Sequence, residues 1–134
     1  MILLDSNIII YAASEHHKSL RDLLKNYESC CSIISQLKVL GFPKITTEQT
    51  KFFEAMFKLM DILPITEELI KQAISYRKRY NMSVADAIIA ATAKIYNAKL
   101  YTNNEKDFKN IVTTQPVQRV HKQIFATDYA DVTD

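Results

Sequence analysis

Short apolar runs alternate with capped helical stretches along nearly the whole chain, and this alternation limits the fold more than any other feature. Residues 2–4, 29–34, 61–65 and 99–102 read as strands, and 111–120 is a candidate fifth. Between them, apolar residues recur at helical spacing. The segment 6–13 follows a cap at Asp5 or Ser6, and 17–27 carries Leu20, Leu23, Leu24 and Tyr27. Ser35 is expected to cap a short helix that stops at Gly41 and Pro43. Thr46 and Gln49 form a capping-box pattern before Phe52, Phe53, Met56, Phe57 and Met60. Thr66 and Ser83 cap two further helices, and 104–110 reads as a short helical turn. Strands alternating with helices imply a parallel sheet covered on both faces.

The first strand ends on an acid, in Met1-Ile2-Leu3-Leu4-Asp5-Ser6-Asn7. Ligands in open parallel α/β sheets gather outside the carboxyl ends of the strands. Asp5 is therefore the first candidate for a site. Asp107 follows the fourth strand, and Asp86 lies in the first turn of the helix that Ser83 caps. Each acid also has a plain structural reading as an N-cap or a third helical residue, where a carboxylate favours the helix dipole. The surroundings of Asp86 weigh against that reading alone. Ala85, Ala87, Ile88, Ile89, Ala90 and Ala91 would bury an acid among small apolar side chains, and an unpaired buried carboxylate costs roughly several kcal/mol.

The 134 residues suggest one domain spanning 1–134, with 121–134 as a C-terminal tail in which the last seven residues hold three Asp. Hydrophobic residues make up 48%, enough for a core without disulfides. Cys30 and Cys31 are adjacent and cannot form a disulfide framework. With no apparent signal peptide or long apolar span, the expectation is a reduced, cytoplasmic protein with no membrane contact. The formal charge of +2 is too mild to indicate nucleic-acid binding by itself. One Gly excludes a Gly-rich phosphate loop. His16, His17 and His121 lie in polar surroundings, and no Ser-His-Asp arrangement presents itself. Lys71, Arg77, Lys78 and Arg79 are either a solvated face or a rim that tracks RNA phosphates.

Three blocks together resemble a family: Leu3-Leu4-Asp5-Ser6-Asn7, Asp86-Ala87-Ile88-Ile89-Ala90-Ala91-Thr92-Ala93, and Tyr101-Thr102-Asn103-Asn104-Glu105-Lys106-Asp107-Phe108. Their order and spacing are similar to the signature blocks of PIN domains, nearest to the VapC-like toxins of bacterial toxin–antitoxin systems. The resemblance covers about residues 1–120. It implies a three-layer α/β/α PIN-like domain with a central parallel sheet of four or five strands. It implies a Mg²⁺- or Mn²⁺-dependent endoribonuclease acting on RNA, a homodimer, and a small antitoxin protein as partner. The family's first, third and fourth acids fall on Asp5, Asp86 and Asp107, as catalytic and metal-binding residues. Its supporting positions fall on Asn7, Thr102 and Asn104. Mg²⁺ prefers oxygen ligands, so clustered acids suit metal-assisted phosphodiester hydrolysis.

One position departs from the pattern. The family's second acid is usually a Glu in the short helix after the second strand, and Lys38 stands there. Two unit charges about 4 Å apart interact by about 4 kcal/mol at an effective dielectric near 20, and a divalent ion doubles that. Lys38 therefore leaves several readings open: a side chain outside the pocket, a weakened nuclease using three acids, or an inactive pocket without metal. Glu48 and Glu54 lie on a different helix and are poor replacements. The competing function is a non-catalytic PIN module that binds RNA or a protein; a purely structural protein, with the acids as helix caps, is a third.

Overall fold

A computed structural model of the chain describes residues 1–13, 18–25, 28–108, 111 and 118–119. In chain order the elements are β1 (Ile2–Leu4), α1 (Ser6–Ala12), α2 (Lys18–Lys25), β2 (Ser29–Ser32), α3 (Ile33–Leu40), α4 (Thr47–Lys58), β3 (Asp61–Leu63), α5 (Glu67–Tyr80), α6 (Val84–Ile95), β4 (Lys99–Thr102), α7 (Glu105–Phe108) and β5 (Gln118–Arg119). The five strands form one sheet in the order β3-β2-β1-β4-β5. Every neighbouring pair is parallel.

Side chains alternate across a strand, so each strand feeds both faces. Ile2, Leu4 and Cys31 enter one core with Ile8 and Ile9 of α1, Val39 of α3, and Phe53 and Phe57 of α4. Leu3, Cys30 and Leu100 enter the other with Leu69, Ala73 and Tyr76 of α5 and residues 87–91 and 93 of α6. This is the expected three-layer α/β/α arrangement. It explains why β1 is apolar throughout: both faces are covered, and burying one Leu contributes about 1.5–3 kcal/mol. The small side chains of α6 serve close packing, since 87–93 is buried without a break. The stripe on α4 divides: Phe53 and Phe57 are buried, whereas Phe52, Met56 and Met60 are only partly covered.

Several boundaries move. The second strand stops at Ser32, whose hydroxyl accepts from Ile34 N at 3.2 Å and caps α3. Ser35, expected as that cap, is instead a buried residue inside the helix. The single glycine closes α3, where a Cβ at Gly41 would lie 2.6 Å from the Leu37 carbonyl oxygen. Thr46, Thr66 and Ser83 cap their helices as expected, and the Thr46–Gln49 capping box is complete. Asn81, at φ 53°, ends α5 in the left-handed region and turns the chain toward α6. The third strand ends at Leu63, and β5 falls within 111–120. The tail 121–134, His16, His17 and His121 lie outside the described residues. Among the described residues, no helix is long and apolar enough to cross a membrane.

Candidate active site

The sheet order places a crevice before any side chain is considered. From β1 the chain steps to β2 and β3 on one side, while β4 leads to β5 on the other. The direction therefore reverses between β1 and β4, and ligand sites form at the carboxyl ends of strands flanking such a switch. Asp5 leaves β1 there, and Thr102 ends β4 beside it.

Asp5 is only 4% exposed. Its Oδ1 accepts from Ser6 N at 2.7 Å, which starts α1, and its Oδ2 accepts from the Thr102 hydroxyl at 2.7 Å. The Thr102 oxygen in turn accepts from Asn104 N at 2.9 Å. The carboxylate is thus oriented by both strands and by the turn after β4. Burial pushes the Asp5 carboxyl above its ordinary range. The bonds from Thr102 and Ser6 and the charge of Lys38 oppose that rise, and Asp107 adds to it.

Asp86 is half-buried in the first turn of α6, with its N–H held by the Ser83 hydroxyl at 3.1 Å. Burial raises its carboxyl, and the charge of Asp5 raises it further. Ser83 and Lys38 pull it down, and Asp107 pushes it up. Asp107 is exposed in α7 and donates its N–H to the Asn104 carbonyl at 3.0 Å. Asp86 and Asp107 thus both stand in the first turns of their helices, and the charges of Asp5 and Asp107 also act on Asp86. Among the described residues, no three His, Cys, Asp or Glu side chains converge closely enough to enclose an ion. One or two carboxylates with water and phosphate oxygens are the usual Mg²⁺ environment, which Asp5 and Asp86 suit better than a closed cage.

Lys38 is exposed on α3, yet its charge reaches both Asp5 and Asp86. Glu48 and Glu54 are exposed on α4 and act on neither acid. Among the supporting positions, Asn7 is half-buried and its Oδ1 accepts from Asn103 N at 3.5 Å. Asn103 also donates from Nδ2 to the Tyr11 hydroxyl at 3.0 Å, while its buried Oδ1 has no partner among the described residues. The sequence suggests only capping roles for Ser6 and Ser35 and no separate role for Asn103. Ser6 and Ser35 share a hydrogen bond at 3.3 Å that ties α3 to the start of α1. The only available signal was a small polar residue inside the apolar segment 33–40, and capping explained it equally well.

The basic group on α5 has mostly structural partners. Arg77 Nε donates to the Met82 carbonyl at 3.0 Å, Lys71 pairs with Glu67 at 3.9 Å, and Arg79 lies 5.3 Å from the Tyr80 ring centre. Cys30 and Cys31 are buried free thiols, both pushed up to about 12 by burial, and so are poor nucleophiles.

Known proteins share this fold. A model of the PIN domain matches residues 2–112. The chain is 31% identical to Ribonuclease VapC of Rickettsia bellii (strain RML369-C), over 82% of this chain and 90% of that protein. Among solved structures, VapBC2 from Rickettsia felis, bound to a DNA fragment from their promoter, superposes with a TM-score of 0.75 at 26% identity, covering 90% of this chain and 99% of that one. A toxin–antitoxin complex from Klebsiella pneumoniae gives 0.68, also at 26% identity, covering 87% and 99%. The chain belongs to the PIN-domain family, within its VapC-like group.

Proposed function

We propose that this chain is a Mg²⁺- or Mn²⁺-dependent endoribonuclease, the toxin of a toxin–antitoxin pair. The observation that carries this reading is Asp5: a nearly fully buried carboxylate held at the sheet's switch point, in the same electrostatic field as Asp86 and Asp107. Likeness to a protein called Ribonuclease VapC supports RNA as the substrate. The donor set fits a hard divalent ion, because every acid offers oxygen and their mutual repulsion is relieved by a cation. When bound, the ion would activate water and offset charge on the scissile phosphate.

The chain's own residues supply orientation. Thr102 and Ser6 fix both Asp5 oxygens in direction while leaving each with a free lone pair. Ser83 sets the first turn of α6 and hence Asp86. Asn104 links the Asp5–Thr102 bond to the start of α7, which carries Asp107. An antitoxin partner and a homodimer follow from the VapC-like relationship, and the cytoplasm is the compartment where RNA and reduced cysteines coincide.

The second reading is a non-catalytic module, and Lys38 favours it by bringing a positive charge toward the acids. RNA cleavage assays with Mn²⁺ or Mg²⁺ decide between the two. Cleavage that EDTA stops, and that Asp5→Asn and Asp86→Asn each reduce by about a hundredfold or more, supports the nuclease. RNA binding without metal-dependent cleavage overturns it in favour of the module.

A further inference from the structure

Lys38 is solvated, but the helix that carries it is bonded to the residue next to Asp5. The Ser6 and Ser35 hydroxyls, both buried, lie 3.3 Å apart and hold α3 against the residue that follows Asp5. Lys38 stands three residues beyond Ser35, on the same helix face. Helical side chains lean toward the N-terminus, so this one leans back along the face that is bonded to Ser6, the neighbour of Asp5. Its charge is felt at both Asp5 and Asp86. Lys38 is nevertheless exposed, and among the described residues it makes no ion pair within 4.0 Å. It is a cation on a flexible four-carbon stem, carried by a helix that is bonded to the residue next to Asp5.

Such a cation opposes a divalent ion placed among the same carboxylates, since both compete for the same negative charge. An RNA phosphate changes the balance. Its oxygens add ligands for the ion and give the ammonium an anion of its own. We propose that Lys38 couples the two ligands: its ammonium opposes the metal ion in the free protein and turns to the substrate phosphate in the complex, so that ion and RNA bind together. The inference rests on the reading of Asp5 and Asp86 as a metal pocket. Coupling of this kind is reciprocal, so RNA must tighten metal binding by the factor by which metal tightens RNA binding.

The test is a Mn²⁺ titration of the whole chain by calorimetry, with and without a 2′-O-methyl oligonucleotide that is recovered intact. In the native protein the oligonucleotide should tighten Mn²⁺ binding by about tenfold or more. Lys38→Met should bind Mn²⁺ about tenfold more tightly than the native protein when no oligonucleotide is present, and the oligonucleotide should then tighten Mn²⁺ binding by clearly less than it does in the native protein, leaving only the share supplied by the phosphate ligands. Lys38→Arg keeps the charge and should keep the coupling. Equal Mn²⁺ affinity in the native protein and Lys38→Met, or the same oligonucleotide effect in both, overturns the role given to Lys38 while leaving the metal pocket standing. Absence of Mn²⁺ binding in all three proteins, with or without the oligonucleotide, overturns the metal pocket itself and this inference with it.

Discussion

The Thr102 hydroxyl donates a 2.7 Å hydrogen bond to Asp5 Oδ2 across 97 positions of sequence, joining the ends of two neighbouring parallel strands. Thr102 is fully buried, so no water replaces this donor if it is lost. Thr102→Val keeps the shape and removes the hydroxyl, which also accepts from Asn104 N. Hydrogen bonds to charged groups are worth about 1.5–3 kcal/mol, and that loss should appear in urea denaturation. Cleavage should fall by about tenfold because the carboxylate is no longer aimed. Thr102→Ser should stay close to the native protein in both measurements. Unchanged cleavage in Thr102→Val would remove Thr102 from the site.

Asp5 carries a stability cost with a definite sign in pH. Burial, the largest cause, raises its carboxyl above the ordinary 3.8, so the folded protein holds that proton more tightly than the unfolded chain does. The contribution of this group is most favourable below the unfolded value. It falls as pH rises through the window between the unfolded and the raised folded value, and stays low above it. Asp5→Asn should therefore melt at or above the native temperature at pH 7 and lose that advantage as pH falls toward about 4. It should abolish cleavage throughout. A variant less stable than the native protein at pH 7, with no trend toward acid, would show that the charged Asp5 is a net stabiliser.

The order of elements was legible because burial on two faces forces apolar strands, and because Thr46, Thr66 and Ser83 announce helix starts by a local hydrogen bond. The candidate acids were legible because each stands at a strand end or a helix start. What sequence could not rank was competition between local and distant partners. Ser32 and Ser35 are equally good caps by type; Ser32 wins because the strand pairing of β2 runs to it and the buried Ser6 hydroxyl engages Ser35. The role of Asn103 was equally hidden, since its contacts to Asn7 and Tyr11 cross from the turn after β4 to α1.

Two helix caps with similar bond lengths allow stability to be separated from site geometry. Ser83 accepts from Asp86 N at 3.1 Å beside the acids, whereas Thr46 accepts from Gln49 N at 3.0 Å on an exposed helix start. Replacing either by Ala should cost about 1 kcal/mol in chemical denaturation. Only Ser83→Ala should also depress cleavage, because the turn it holds carries Asp86. Equal activity in the two variants would mean that Asp86 needs no help from its cap.

At the C-cap of α4, Leu59 is 84% exposed and lies at the edge of a groove of about 550 Å³ between α2 and α4. Phe52, Met56 and Met60 line its apolar part, and Arg21 and Lys25 stand on the α2 side. An antitoxin segment with apolar residues on one face and acids alongside would fit both surfaces. Leu59→Asp should leave the melting temperature of the isolated protein unchanged, within about 0.5 kcal/mol of stability, because the side chain contributes little to the core. Co-expressed with its antitoxin, the variant should lose affinity by about tenfold or more in a binding titration, through the loss of apolar contact and the added like charge. Native affinity in Leu59→Asp would place the antitoxin elsewhere on the protein.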